Sequence, residues 1–255
     1  MALLETFLVV VGVALFAALA VVVKTKLFPE GEDDEPREDV AEYIAMMVSV
    51  LYAVVLGLCL VSVWDNRSSA ADHVQAEASA LHQTYLLAAS LPDDRRAPVR
   101  DAAHAYAAHV VGVEWPRMAD REPLGATGWI LLDRLRAAGE VRGKSSVSEQ
   151  IAAQEILAQL GYVDDARRGR EAAAQEQLSP VLWTGLIIGG VLTLAFMFLF
   201  GIRRSFTHLV MVMGLAGFIA FTVLLIHQLD APFGEMLGAG SDPFTRYFVV
   251  PDSPA

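Results

Sequence analysis

Four long apolar runs constrain this chain more than anything else in it: residues 7–23, 43–64, 181–202 and 206–229. None carries a Lys, Arg, Asp or Glu. The hydrocarbon core of a bilayer takes about 20 residues of helix, and each run is close to that length or above it. In lipid every backbone N–H and C=O must be satisfied within the segment, which leaves helix as the only form for a single crossing run. The expected fold is all-α: an integral membrane protein with four transmembrane helices, held in a lipid bilayer of the cell membrane as a multi-pass protein. The first run could be mistaken for a cleaved leader, because Ala18 and Ala20 form a small-x-small pair. Its acidic start at Glu5 and its continuation through Val21, Val22 and Val23 to Lys24 read instead as a retained helix.

Between the runs the chain divides cleanly. Residues 1–64 hold the first helix pair, with an acidic linker at 24–42 that contains Glu30, Glu32, Asp33, Asp34, Glu35, Glu38 and Asp39, broken by Pro29, Gly31 and Pro36. That interrupted cluster lacks the alternation of a cation-binding loop and reads as solvated linker. Residues 65–180 form the extramembrane domain, with 13 basic and 17 acidic side chains among 116 residues. Residues 181–235 hold the second helix pair, and 236–255 are a tail. Within 65–180, Val74, Ala78, Leu81 and Tyr85 recur at helical spacing, and β-type alternation is absent. Breaks at 91–94, 114–123 and 139–146 predict helices at 66–90, 94–113, 126–138 and 147–178, the last with a possible interruption at Gly161. Ser179 followed by Pro180 predicts a helix start there. No Gly or Pro falls between Asn66 and Leu91, so the second span is expected to run on into water as one rod of about 65 to 70 Å.

Composition narrows the function classes. The net charge is −11, from 19 basic and 30 acidic residues, and gives no electrostatic footprint for nucleic acid. One cysteine, Cys59, permits no internal disulfide. The chain contains no P-loop, G-x-G-x-x-G, H-E-x-x-H or G-x-S-x-G pattern. His73, His82, His104 and His109 lie at positions that suit helix surfaces better than a metal site. No cofactor, metal or catalytic role is expected, so the chain is not read as an enzyme.

Three groups of residues stand out. On the second span Ala45, Ser49, Tyr52, Leu56, Cys59 and Val63 recur at steps of four and three, a stripe of small or polar groups along one side. The stripe would line an axis shared by several copies, or else pack within the chain. At the end of the fourth span His227 and Asp230 are spaced to share a helix face, beside Pro232, Phe233, Gly234 and Glu235. They would gate an ion path, or simply end the helix in the headgroup zone. Gly185 and Gly189 form a GxxxG step that predicts close helix packing. The basic residues near the membrane balance: Lys24, Lys26, Arg37, Arg203 and Arg204 on one side, Arg67, Arg167, Arg168, Arg170 and Arg246 on the other. Charge alone therefore gives no orientation.

Several separated motifs occur in order: Val61 to Asp65 with Trp64, Glu77-Ala78, Leu91-Pro92, Glu114-Trp115-Pro116 with Met118-Ala119, Pro180 to Trp183, Leu199-Phe200-Gly201, His208-Leu209, and Leu229 to Gly234. Over residues 40–235 the pattern resembles the bestrophin-like family of bacterial membrane proteins, and more distantly the bestrophin ion channels. The resemblance implies a homo-oligomeric ion channel, a ring of about five subunits, with the second span lining the pore and the middle domain extending the conduit into the cytoplasm. The match of Pro232, Phe233 and Gly234 belongs to it. Glu235 is followed by Met-Leu-Gly-Ala-Gly and not by further acids, so calcium gating is not implied. The second span offers Tyr52 and no Phe, which leaves ion selectivity open. The rival reading is a membrane-anchored scaffold whose helical domain docks partners.

Overall fold

The second apolar run does not end where its hydrophobicity ends. In the computed structural model, which describes residues 7–13, 15–17, 19, 23, 35–140, 145–199, 206–234 and 236–248, one helix, α2, runs from Glu35 to Leu87 without a break. At 1.5 Å per residue its 53 residues span about 80 Å. The absence of Gly and Pro beyond Gly57 allows this. The helix begins inside the stretch 24–42 that its charges mark as linker; residues 24–34 lie outside the described residues.

Every other described element is also helical. A short apolar helix α1 spans Phe7–Ala17. After α2 come α3 (Asp93–His109), a π turn (Val110–Glu114), α4 (Trp115–Ala119), α5 (Thr127–Gly139), α6 (Val147–Gln175), α7 (Pro180–Leu199), α8 (Phe206–Leu229) and α9 (Asp242–Tyr247). Among the described residues two helices are long and apolar enough to cross a membrane, α2, counted from Tyr43, and α8, counted from Leu209, or up to three if a broken pair is counted as one span. The stretch Pro180–Phe196 of α7 is counted only together with α6, and α1 is a shorter apolar helix. The four-span layout thus rests on two helices that pass and two that do not.

The chain forms two compact units. One comprises Met1–Trp64 and Gln177–Asp230. Here α7 packs on α8, and Val212 and Ala216 of α8 bury Ala17. Helix α7 starts as its sequence predicts: the Ser179 hydroxyl accepts the N–H of Leu182 at 3.3 Å, with Pro180 at the first helical position.

The other unit comprises Asp65–Glu176 and Ala231–Ala255. Its core joins Val74, Ala78 and Leu81 of α2 to Val99, Ala103 and Tyr106 of α3, Leu132 and Leu135 of α5, and Ile156, Leu160 and Val163 of α6. Helix α6 is capped at its start by Ser146 and Glu149, each side chain bonding the other's backbone N–H. It passes Gly161 unbroken. The structure departs from the sequence expectation at two places in this unit. The break expected at 114–123 begins later, because the π turn and α4 carry the helix on to Ala119. The segment 236–255, set apart as a tail, contributes Phe244 and Phe248 to this core.

Candidate functional site

Spacing singled out the α2 stripe, and burial shows where it faces. Tyr52, Leu56, Cys59 and Val63 are buried, while Ala45 and Ser49 are half-buried. The Tyr52 hydroxyl donates to the Leu186 carbonyl at 3.1 Å. Its ring lies where a Cβ on Gly189 would meet Cδ2 at 2.6 Å, and one on Gly190 would meet the hydroxyl at 2.9 Å. These glycines are small because Tyr52 occupies the space a side chain would need. Gly185, the other half of the GxxxG step, faces open space. Ser49 satisfies its own hydroxyl on the Ala45 carbonyl at 2.8 Å. Through Tyr52 the stripe is engaged with α7 of the same chain. The opposite side of α2 carries exposed Tyr43, Met47, Val50, Val54, Leu58 and Val61, again at steps of three and four.

The cluster at the end of α8 is divided between two tasks. Asp230 is 5% exposed, and its carboxylate accepts the Leu178 N–H at 2.7 Å and the Trp183 indole N–H at 3.3 Å. It ties the entrance of α7 to the exit of α8. His227 is exposed and meets the edge of Trp183, with ring centroids 5.5 Å apart. Pro232, Phe233 and Gly234 form a folded turn in the second unit: the Gly234 N–H bonds Ala231 O at 3.0 Å and the Ala239 N–H bonds Pro232 O at 2.7 Å. Gly238 is held so close to the Gly234 backbone that no side chain fits. Arg67 donates to the Leu237 carbonyl, and Phe233 is buried edge-on against Trp115 at 5.5 Å. This motif acts as a buried fastener. Glu235, Arg203 and Arg204 lie outside the described residues.

The densest chemistry lies where the sequence suggested no role. Glu77, Glu114, Arg167 and Arg170 are fully buried together with Tyr106. Arg170 grips Glu77 with two bonds, Nε to Oε2 at 2.6 Å and Nη2 to Oε1 at 3.0 Å, and reaches Glu114 Oε2 at 2.9 Å. Arg167 grips Glu114 in the same way, at 2.6 and 3.0 Å. Tyr106 closes the ring: it donates to Glu77 at 2.5 Å and accepts from Arg167 at 3.0 Å. The Arg167 guanidinium also lies 4.9 Å from the Trp129 ring centroid. Two cations and two anions balance, as buried charges must.

Local structure explains the inward aim. The π turn brings Glu114 to the buried side shared by Tyr106 and Val110. Gly128 makes room on α5, since a Cβ there would run into Glu114 Oε1 and the Arg167 guanidinium. Burial pushes the Glu114 carboxyl up, but the hydrogen bond from Arg167 and the charges of Arg170 and Arg167 outweigh it and leave it below its ordinary range. Burial and the neighbouring Glu77 drive the Tyr106 phenol well above its own. At the edge of the network His109 Nε2 lies 3.6 Å from Glu114 Oε1. Its burial holds the imidazole low, with Glu114 pulling the other way. Nothing here resembles an activated nucleophile. The network holds charge in place, and among the described residues no group of three or more His, Cys, Asp or Glu could bind a metal.

A sequence signal for this network exists. Leu160, Val163, Arg167 and Arg170 follow one another at steps of three, four and three along the core face of α6. Two arginines on an apolar stripe require buried acids opposite them.

The family model of the bestrophin-like domain matches residues 11–244 of this chain. The chain belongs to the bestrophin-like family. Its fold is similar to that of a bacterial bestrophin homolog from Klebsiella pneumoniae, seen in a crystal structure of a point mutant. The TM-score is 0.62 at 13% sequence identity, over 97% of this chain and 96% of that one. Among curated proteins, none matches. Within the bestrophin-like family match fall the α2 stripe, the buried network and the Pro232–Phe233–Gly234 turn alike.

Proposed function

We propose that this bestrophin-like protein is a homo-oligomeric channel that conducts ions passively along an axis lined by α2. The observation that carries the reading is the unbroken helix from Glu35 to Leu87, apolar in its first half and part of the extramembrane unit in its second. Ions crossing a bilayer need a lined path that continues into water, and one helix per subunit supplies both parts of it. In this reading α1, α2, α7 and α8 are the four spans, the extramembrane unit is cytoplasmic, and about five copies form the ring.

Because Tyr52, Leu56, Cys59 and Val63 are engaged within the chain, the face assigned to the axis is the exposed one: Met47, Val50, Val54 and Val61. A path lined this way is apolar, of the kind that gates by expelling water. The purified protein, sized as an oligomer and reconstituted in liposomes, is expected to pass monovalent ions down their gradient. In Val54→Cys a charged thiol reagent is expected to change that flux, while the parent with buried Cys59 does not respond.

The intrachain seat of Tyr52 also favours a second reading, a membrane-anchored scaffold without transport. Absence of flux from a verified oligomer selects the scaffold.

A further inference from the structure

The exposed stripe of α2 does not stop where the apolar run ends. Because the helix is continuous from Glu35 to Leu87, positions at steps of three and four keep to one face of it. Beyond Val61 those positions are Asp65, Ser68, Asp72, Ala76, Ser79 and Gln83. All are exposed except Ser79, which is half-buried and accepts from Gln75 Nε2 at 2.9 Å. Ala70, Val74 and Leu81, on the other side of the same helix, belong to the core. The face assigned to the axis thus turns from apolar to polar at Asp65, where the extramembrane unit begins.

Its charge has one sign. From Met47 to Leu86 the only ionisable side chains on this face are Asp65 and Asp72. The other ionisable groups of this half of α2 are engaged elsewhere. Arg67 donates to the Leu237 carbonyl, and Glu77 is fully buried with Arg170. His73 lies against Gly169, where a Cβ would meet its ring, and His82 stacks on Tyr247 with ring centroids 4.5 Å apart. Arg246 borders a groove beside Asp72, but Asp242 borders the same groove and offsets it. An ordinary solvated helix face mixes charges of both signs; this one carries acids alone.

Resting on the channel reading above, we propose that Asp65 and Asp72 make the conducting path selective for small cations over anions. Around an axis shared by several copies each residue forms a ring of carboxylates, and the two rings stand about 10 Å apart along the helix. The first ring is one turn beyond Val61, at the mouth of the apolar stretch. A path lined by one sign of charge concentrates counter-ions and turns away ions of its own sign.

The test is the reversal potential of the full-length oligomer in planar bilayers under a KCl gradient. The parent is expected to favour K+ over Cl− by at least about tenfold, less so as total salt rises. Asp65→Asn and Asp72→Asn are each expected to lower that ratio, and the double variant to bring it close to unity. Asp65→Glu and Asp72→Glu keep the charge and are expected to keep the ratio. Asp101→Asn removes the same charge from an exposed position on α3 and should leave the ratio unchanged. Should the double variant fail to assemble in size-exclusion chromatography, the single variants decide. A parent that favours Cl−, or a ratio unmoved by the Asn variants, overturns the assignment while the channel stands. An equal fall in Asp101→Asn overturns it too, since net charge and not the stripe then governs. Absence of current from a verified oligomer overturns the channel reading, and the assignment falls with it.

Discussion

Arg170 Nε lies 2.6 Å from Glu77 Oε2, with neither side chain reaching solvent. The two residues are 93 positions apart, so one ion pair joins the aqueous half of α2 to α6. Removing either partner leaves a charge stranded in the core. Arg170→Met is expected to destabilise the extramembrane unit by about 3–5 kcal/mol, read as a lowered thermal midpoint of the full-length protein in detergent. The double variant Glu77→Leu/Arg170→Met should recover part of that loss, because no unpaired charge remains at Glu77.

Acid should loosen the same unit in two stages. His109 is held below its ordinary range in the fold, so the unfolded chain takes up a proton first as the pH falls through about 6.5. Stability is complete above that value and declines below it. His109→Gln is expected to remove this first stage. Glu114 is also depressed in the fold, so its contribution is present above about pH 4.3 and is lost as the pH drops towards its lower folded value. Thermal melts from pH 8 down to about pH 2 check both stages.

Gly128 is expected to tolerate no side chain. A methyl group there would meet Glu114 and the Arg167 guanidinium, with Cζ at 2.7 Å. Gly128→Ala should cost about 1–3 kcal/mol through overpacking against an ion pair that cannot withdraw. Gly112→Ala, where a Cβ meets nothing within 4 Å, is the matched control and should leave the melting temperature nearly unchanged.

Tyr52 and Gly189 should fail by different amounts. Tyr52→Phe removes one hydroxyl bond to Leu186 O, worth about 0.6 kcal/mol for helices in a membrane. Gly189→Leu drives a branched side chain into the Tyr52 ring and is expected to separate α2 from α7. Yield and size-exclusion profile in detergent should be near normal for the first and degraded for the second.

The helical class, the continuity of α2 and the start of α7 were legible in the residues, because each follows from local rules: apolar run length, absence of Gly and Pro, and a Ser-Pro cap. The direction of the α2 stripe was not. Spacing defines a face but not its neighbour, and only the contact of Tyr52 with Gly189 and Gly190 shows that the neighbour is α7. The role of Asp230 was hidden for the same reason, since its partners Leu178 and Trp183 precede it by 52 and 47 positions. The buried network was half visible in Arg167 and Arg170 on an apolar stripe. Its acids come from two other helices, and one of them, Glu114, is turned inward by a π turn that no propensity rule announces. The burial of Phe244 and Phe248 had no sequence signal beyond their hydrophobicity.

Phe244 and Phe248 seal a core that begins at Ala70, and α7 and α8 are translated between them. A nascent chain therefore exposes an unfinished apolar groove for the whole time the intervening segments leave the ribosome. Closure of this unit must wait until α9 has been synthesised, and the interval before it is when a chaperone would be needed.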